Sequence, residues 1–242
     1  MNSYLDALYS TDQYARNSNN WSSDEDKEKS RTLLRILRCA GLSDQITSIL
    51  DVGCGTGGLL GAIVDDLPGV KRAKGIDLSE IAIDRAIRTH GRGIEFSVAQ
   101  LDTDSDTYDL VVLSHVLEHV MDWDMFLANV SKASRSFVYI NVPLDANLVS
   151  VVRGTSLRDT YKKYGHVHFF DESFIVNYLT DVGFSVLAKD YGEEFKFQSS
   201  TFRGRVARIP RILFGMFHKK LAARLVGGYS LALLLVPPGT NR

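Results

Sequence analysis

Cysteine is scarce in this chain of 242 residues, which contains only Cys39 and Cys54. Two cysteines provide neither a disulfide framework nor a cysteine-based metal site. Cys54 stands among glycines, where a small side chain fits. The sequence therefore predicts a protein of a reducing cytoplasm with no metal centre.

Long apolar segments are also absent. No uncharged apolar run reaches the roughly 18 residues that a membrane-spanning helix requires. The first residues, Met1 to Asn20, are polar and lack the apolar core of a signal peptide. We therefore expect no membrane span and no secretion signal. The length suits one α/β domain with a well-buried core.

Acidic residues are missing from the end of the chain. Residues 195–242 contain nine lysines and arginines and no aspartate or glutamate, which leaves 19 basic and 29 acidic residues in 1–194. A basic tail on an acidic body indicates an anionic partner. A solvated basic helix face explains the same pattern.

Short apolar runs alternate with segments of helical periodicity, which predicts a parallel sheet with helices on both faces. The predicted strands are Thr47–Val52, Ala73–Asp77, Ile94–Val98, Leu110–Ser114, Ser136–Asn141, Phe184–Lys189 and Ser230–Val236. The predicted helices are Asp24–Ala40, Gly58–Asp66, Glu80–Thr89, Asp124–Ala133 and Glu172–Asp181. We expect a long loop after the fifth strand and a basic helical insertion at about 198–228.

The predicted organisation is an N-terminal helical cap over residues 1–45, followed by a catalytic domain over 46–242. Tyr14 and Trp21 in the cap suggest a lid over a bound ligand. Packing of these rings on the sheet is an equal alternative.

A glycine loop follows the first predicted strand. Asp51 ends that strand, and Gly53, Cys54, Gly55 and Gly57 form the turn into the next helix. Glycines allow a tight turn and a close approach of ligand to backbone. With Gly58 the loop also matches G-x-G-x-x-G, the dinucleotide fingerprint, so the loop alone leaves both classes of cofactor open.

Three further features favour S-adenosylmethionine. Asp51 suits a cationic amino group and is poorly placed beside a pyrophosphate. Asp77 ends the second strand, where an acid accepts hydrogen bonds from ribose hydroxyls. A His-Val-Leu-Glu-His turn follows the fourth strand, and no tyrosine has a lysine four residues later, as short-chain dehydrogenases require.

The runs ILDVGCGTGG, GIDLS, YDLVVLSHVLEHV and GFSVLAKDYG resemble the successive motifs of class I S-adenosylmethionine-dependent methyltransferases. The particular likeness is to the ubiquinone-biosynthesis and sugar O-methyltransferase subgroup. The resemblance implies a Rossmann-like, seven-stranded, mostly parallel sheet with an antiparallel last strand. It implies S-adenosylmethionine as cofactor, with the glycine loop at its methionine end and Asp77 and Leu78 at its ribose and adenine.

The remaining cofactor contacts are predicted from the same motifs. Gln100 fills the position where the family often has an aspartate at the adenine, with Leu101 beside it and Asp102 as a second choice. Ser114 and His119 complete the predicted set, because they follow the fourth strand at the ligand edge of the sheet.

Histidines are the candidate bases, since removal of a hydroxyl proton near neutral pH favours imidazole. His115 and His119 share one helical face, where packing under the cofactor is the alternative for His119. His166, in Gly165–Phe170, is the first candidate base, and its alternative is a structural hydrogen bond within the loop. The pair His115 and His119 could bind a metal ion, but the sequence offers no further ligand cluster.

These observations predict O-methylation of a hydroxylated small molecule such as a sugar, free or linked to a nucleotide or lipid carrier. N-methylation of an amino sugar and a non-catalytic cofactor-binding subunit are the alternatives. The basic segment suits a diphosphate or an anionic membrane surface. Its arginines are Arg203, Arg205, Arg208 and Arg211. The acidic body and the lack of an RNA-binding module argue against nucleic acid.

Overall fold

The computed structural model describes residues 23–101, 106–196 and 202–240. Its centre is a seven-stranded sheet in the order β3-β2-β1-β4-β5-β7-β6. The strands are β1 (Ser48–Val52), β2 (Arg72–Asp77), β3 (Glu95–Val98), β4 (Tyr108–Ser114), β5 (Ser134–Pro143), β6 (Ser185–Gly192) and β7 (Ser230–Val236). Strand β7 runs antiparallel to both β5 and β6, and the pairs among β1 to β5 are parallel. The predicted fold class is confirmed.

Eight α-helices lie in the described part of the chain. They are α1 (Ser23–Cys39), α2 (Gly58–Asp66), α3 (Glu80–His90), α4 (Trp123–Ala133), α5 (Leu148–Arg153), α6 (Thr155–Tyr164), α7 (Glu172–Asp181) and α8 (Phe202–Val226). The predicted α2 and α7 have the observed bounds, and three others agree within a residue at either end. Within the described residues, no helix is both long and apolar enough to cross a bilayer.

Two apolar layers cover the two faces of the sheet. Helices α1, α2 and α3 bury Leu34, Leu60 and Ile83 on one face, and α4, α7 and α8 bury Leu127, Ile175 and Ala222 on the other. All five residues of β1 are buried, because a central parallel strand is covered on both faces. Helix α1 therefore packs directly on the sheet, in the same apolar layer as α2 and α3. Tyr14 and Trp21 lie outside the described residues.

The prediction of a long loop after β5 is wrong, because α5 and α6 occupy most of that segment. Asn147 caps α5 through a hydrogen bond to the Ser150 amide, and Gly154, at φ +64°, ends α5 and begins α6. Helices of this length cover too few turns for a clear periodic pattern, although four of the six residues of α5 are apolar. The insertion before β7 is helical, as expected, and α8 has a kink at His218.

Candidate functional site

An open cleft lies beyond the carboxyl ends of β1, β2 and β4, where ligands bind in sheets of this type. Its described lining comes from α1, the glycine loop and the ends of these strands: Asp26, Lys29, Asp51, Gly53, Cys54, Gly55, Thr56, Gly58, Leu59, Asp77, Ser114 and His115. Six of these residues belong to the predicted cofactor-binding set, and His115 is a predicted catalytic residue. The structure therefore brings together the glycine loop, the end of the second strand and the turn after the fourth strand.

The glycine loop is held against β2. The amides of Gly53 and Cys54 donate to the carbonyl of Ile76, at 2.8 and 3.0 Å. Gly53 has φ +71°, and a Cβ there would lie 2.7 Å from Cγ2 of Val116. Gly57, at φ +77°, would bring a Cβ within 2.7 Å of the Phe96 ring. Side chains at these positions would both strain the backbone and fill the cradle.

Asp51 lies at the floor of the cleft and is 1% exposed. Its Oδ2 atom has no hydrogen-bond partner within the described part of the chain. Burial raises the pKa of Asp51 well above its usual range, and the neighbouring charges of Asp26 and Asp77 raise it further. A buried, uncompensated carboxylate of this kind favours a cationic ligand.

Asp77 is anchored by backbone amides. Its carboxylate accepts from Gly55 at 2.8 Å and from Ser79 at 2.9 Å, which leaves acceptor capacity for ligand hydroxyls. Burial raises its pKa, and these amides oppose the shift. Leu78, directly after it, is 62% exposed, although leucine usually lies inside a protein.

The residues after β3 that are predicted to contact adenine differ in their exposure to solvent. The Ala99 amide donates to the carbonyl of Asp77 at 3.1 Å and holds this segment beside β2. Gln100 is exposed at the surface, whereas the side chain of Leu101 is buried in the core. Asp102 lies outside the described residues.

His115 follows β4 in a left-handed conformation, with φ 59°. Within the described residues no other non-glycine position has a positive φ. Such conformations persist where the surroundings impose them and are frequent at active sites. Its Nδ1 lies 3.0 Å from Oε1 of Glu118, and Ser114 beside it has a buried hydroxyl without a described partner.

Glu118 is fully buried, and sequence reasoning missed it. Hydrogen bonding to His115 and the charges of His115, His119 and His166 overcome desolvation and lower its pKa to about 2. The carboxyl is therefore ionised, and the His115 Nδ1–H donates to it. Burial lowers the pKa of His119 to about 4, so its ring is neutral at pH 7.

His166 is not among the residues that line the cleft in the described part of the chain. Its Nδ1 donates to Oδ2 of Asp145 at 2.9 Å, and its ring meets that of His119 edge to face at 4.9 Å. The His119 Nδ1–H donates to the carbonyl of Gly165 at 3.3 Å. His168, set apart, contacts the carbonyl of Val120 and the Trp123 ring.

Glu118, His119 and His166 present ligand-type atoms that all lie within 4.8 Å of one another. Two imidazoles and a carboxylate, each ring oriented by a second hydrogen bond, form a donor set that could hold a divalent transition metal. The sequence prediction of no metal centre considered the pair His115 and His119 and did not foresee that Glu118 and His166 would meet at His119.

Asp26 and Lys29 also escaped sequence reasoning. Both lie on the first turns of α1 and line the cleft, and burial raises the pKa of Asp26. Asp26 packs directly against Gly58 at the start of α2, where a carboxylate is favoured by the helix dipole. The acidic first turn of α1 was visible in the sequence, but its tertiary neighbour was not.

Solved structures share this architecture. A putative methyltransferase in complex with the Trm112 activator from Haloferax volcanii has a TM-score of 0.65 and 16% identity, with 97% of each chain covered. Magnesium protoporphyrin IX methyltransferase from Synechocystis PCC 6803, with bound SAH, has a TM-score of 0.60 and 18% identity, covering 96% of this chain and 97% of that one. N-methyltransferase NodS from Bradyrhizobium japonicum WM9 has a TM-score of 0.56 and 18% identity, covering 90% and 99%.

A search of curated proteins found no match. A family model described as a methyltransferase domain matches residues 23–189, which include the whole of the described cleft lining. This match confirms the prediction of a methyltransferase that uses S-adenosylmethionine. The chain therefore belongs to the methyltransferase-domain family.

Proposed function

We propose that this methyltransferase transfers the methyl group to a hydroxyl of a small molecule, such as a sugar that is free or linked to a nucleotide or lipid. The observation that carries the proposal is the pair of His115 and Glu118 at the edge of the cleft. A hydroxyl acceptor must lose a proton during the reaction, and this pair provides a base for it.

The cleft suits S-adenosylmethionine by its charge and its hydrogen-bonding groups. Asp51, with an unpartnered buried oxygen, is suited to the ammonium group, and Asp77 to the ribose hydroxyls. Leu78 and Gln100 border the expected adenine position. Three carboxylates against Lys29 favour a cation over a diphosphate. When bound, the cofactor supplies a methyl group on a sulfonium, and the sulfur leaves neutral.

His115 is the proposed base. Because its Nδ1–H donates to ionised Glu118, the tautomer is fixed and Nε2 is the nitrogen that accepts a proton. The proton of the acceptor hydroxyl passes to this nitrogen, and Glu118 stabilises the imidazolium that results. The left-handed backbone at His115 sets the direction of the ring.

His166 remains the alternative base that sequence predicts. Its Nδ1 also donates to a carboxylate, that of Asp145, as the Nδ1 of His115 does to Glu118. The neighbours of His166, however, are His119 and Tyr164 rather than the cofactor loop. We therefore assign it a supporting position, in which it orients His119 and the turn that carries Glu118.

N-methylation is a second candidate, and one feature favours it. A neighbouring pocket, which shares Lys29 with the cleft, is lined by the carboxylates of Glu25, Glu28 and Glu193. An acidic pocket suits an acceptor amine, which binds as the cation and gives its proton to a carboxylate before the nitrogen takes the methyl group. This pocket also contains the Asn141 side chain, whose Oδ1 is buried without a described partner.

The test compares His115→Gln and His166→Gln with the unaltered protein on a panel of hydroxyl- and amine-bearing sugars. Methyl gain is followed by mass spectrometry, and cofactor binding by calorimetry. We expect His115→Gln to lose about 10²- to 10⁴-fold in rate with little change in cofactor affinity. His166→Gln should lose less.

Three results would contradict the proposal of O-methylation with His115 as the base. A full rate in His115→Gln would overturn its role as base, and methyl gain confined to amines would replace O- with N-methylation. Cofactor binding without methylation of any acceptor would favour the non-catalytic subunit.

A further inference from the structure

Exposed apolar side chains are concentrated on α5 and α8. On α5, Val151 and Val152 are 62% and 76% exposed, and on α8 Leu213 and Phe217 are 54% and 81% exposed. We propose that the surface formed by these helices, here called the α5–α8 face, binds peripherally to an anionic lipid bilayer. This proposal concerns a surface outside the cofactor cleft and does not depend on which atom is methylated.

The two helices form one continuous surface. They are in contact with each other. Burial lowers the pKa of Arg211 in α8, and the charge of Arg153 at the end of α5 lowers it further. The exposed Val152 and Ile212 are the chain neighbours of these two arginines. Scattered apolar residues are normal on a surface, whereas a contiguous group of them marks an interaction site.

The sequence of the segments that form this face is predominantly basic. Residues 202–226 contain seven lysines and arginines and no acidic residue, and residues 148–164 contain four against Asp159 alone. Part of this charge is already paired, since Lys219 and Lys220 lie 3.9 Å from Glu193 and 3.5 Å from Glu172. The exposed cations of α5 and of α6, which follows it, are Arg153, Arg158, Lys162 and Lys163, and Arg158 lies 3.8 Å from Asp159.

Apolar tips bordered by cations match the interface of an anionic bilayer, into which the tips insert while the cations meet lipid phosphates. A nucleic acid would use the cations but would leave Phe217 and Val152 unburied. No helix in the described ranges is long and apolar enough to cross a bilayer. The proposed contact is with the surface of the membrane.

The α5–α8 face lies near the edge of the sheet at which the cleft opens. Helix α5 begins shortly after β5 ends at Pro143, and α8 ends shortly before β7 begins at Ser230, which pairs with Pro143. Both ends therefore lie at the edge of the sheet where the cleft opens. A protein held by this face would bring its cleft close to the level of the lipid headgroups.

The test is flotation of the full-length protein with vesicles of phosphatidylcholine alone or with about one third phosphatidylglycerol. The variants are Val152→Ser/Phe217→Ser, which removes apolar tips, and Arg158→Gln/Lys162→Gln, which removes cations. Ile87→Ser on α3 is the matched control, because Ile87 is 50% exposed on the opposite side of the sheet. Cofactor binding, measured without lipid, reports correct folding of each variant.

We expect the unaltered protein and Ile87→Ser to float with the anionic vesicles and to stay behind with phosphatidylcholine alone. Each double variant should bind at least about tenfold more weakly while still binding cofactor. Failure of the unaltered protein to float, equal binding to both vesicles, or undiminished binding of the serine double variant would overturn the proposal. Loss of methylation with normal flotation would instead count against the proposed function alone.

Discussion

The Nδ1 atom of His115 lies 3.0 Å from Oε1 of Glu118, and the Glu118 side chain is fully buried. An ionised carboxylate in such a position is stable only because histidines surround it, and these lower its pKa to about 2. The contact joins an exposed edge of the cofactor cleft to the interior of the molecule. Its strength is therefore measurable through both catalysis and stability.

Glu118→Gln keeps the shape of the side chain and removes its charge. We expect kcat to fall about 10- to 100-fold with little change in cofactor affinity, because imidazolium at His115 loses its counter-charge. The acid limb of the pH–rate profile should move to lower pH. Rate measurements from about pH 5.5 to 9 check this, and an unshifted profile with a reduced rate would mean that Glu118 has only a structural role.

Asp51→Asn should weaken S-adenosylmethionine binding about 10- to 100-fold, since a charge-assisted contact in a buried site is lost. The pKa of Asp51 is raised in the free protein, so cofactor affinity of the unaltered protein should fall as pH falls through that pKa. The variant should lack this dependence. Calorimetry at several pH values measures both effects.

The free Asp51→Asn protein should also unfold at a higher temperature, because the ionised buried carboxylate destabilises the unliganded fold. Asp65→Asn, a change at an exposed aspartate on α2, is the control and should leave cofactor binding unaltered. Equal cofactor affinity in Asp51→Asn would contradict the assignment of this residue to the methionine end.

Gly57→Ala and Gly93→Ala form a matched pair, with φ +77° and +91°. A Cβ at Gly93 meets no atom within 4 Å, so that change should cost about 1–2 kcal/mol from backbone strain alone. A Cβ at Gly57 also meets Phe96, which adds about 1–3 kcal/mol of overpacking. Urea unfolding measures both variants, and equal losses would argue against a tight cradle.

Acid should destabilise this fold partly through His119. Its folded pKa of about 4 is below the usual value of 6.5, so its contribution is complete above pH 6.5 and is lost as pH falls towards 4. Linkage gives a loss of about 2 kcal/mol between about pH 7.5 and 5 from this residue. Glu118 shifts in the same direction, but its loss begins only below its unfolded value of 4.5.

Thermal unfolding at these two pH values tests the His119 prediction. His119→Gln should show a smaller acid loss than the unaltered protein, and the exposed His218→Gln should behave like the unaltered protein. If both variants lose the same stability on acidification, His119 does not carry the effect.

Local patterns were sufficient to predict most of the fold. Asp171 is followed by a clear helical pattern, and the structure has it as the cap of α7 through the Ser173 amide. The apolar runs of β1 and β7 are buried on both faces, which made them conspicuous. Helices α5 and α6 were missed because such short helices depend on tertiary contacts rather than on their own periodicity.

The cleft was predictable where one segment carried the signal, as for Asp51, Asp77 and the glycines. Glu118 was missed because a charged residue in a helical turn is usually exposed, and nothing local indicates its burial. Asp26 and the meeting of His119 with His166 depend on residues distant in the chain. Such contacts are set by packing and were not visible in the sequence pattern.

Helix α1 has a consequence for how binding energy spreads through the molecule. Its first turns line the cleft through Asp26, and farther along Arg35 donates to Asp190 on β6 at 2.8 Å. A ligand that restricts the motion of Asp26 should also restrict the ion pair of Arg35 with Asp190, because Asp26 and Arg35 belong to one helix. Cofactor binding should therefore slow amide hydrogen exchange in β6, across the sheet from the glycine loop, as well as in the loop itself.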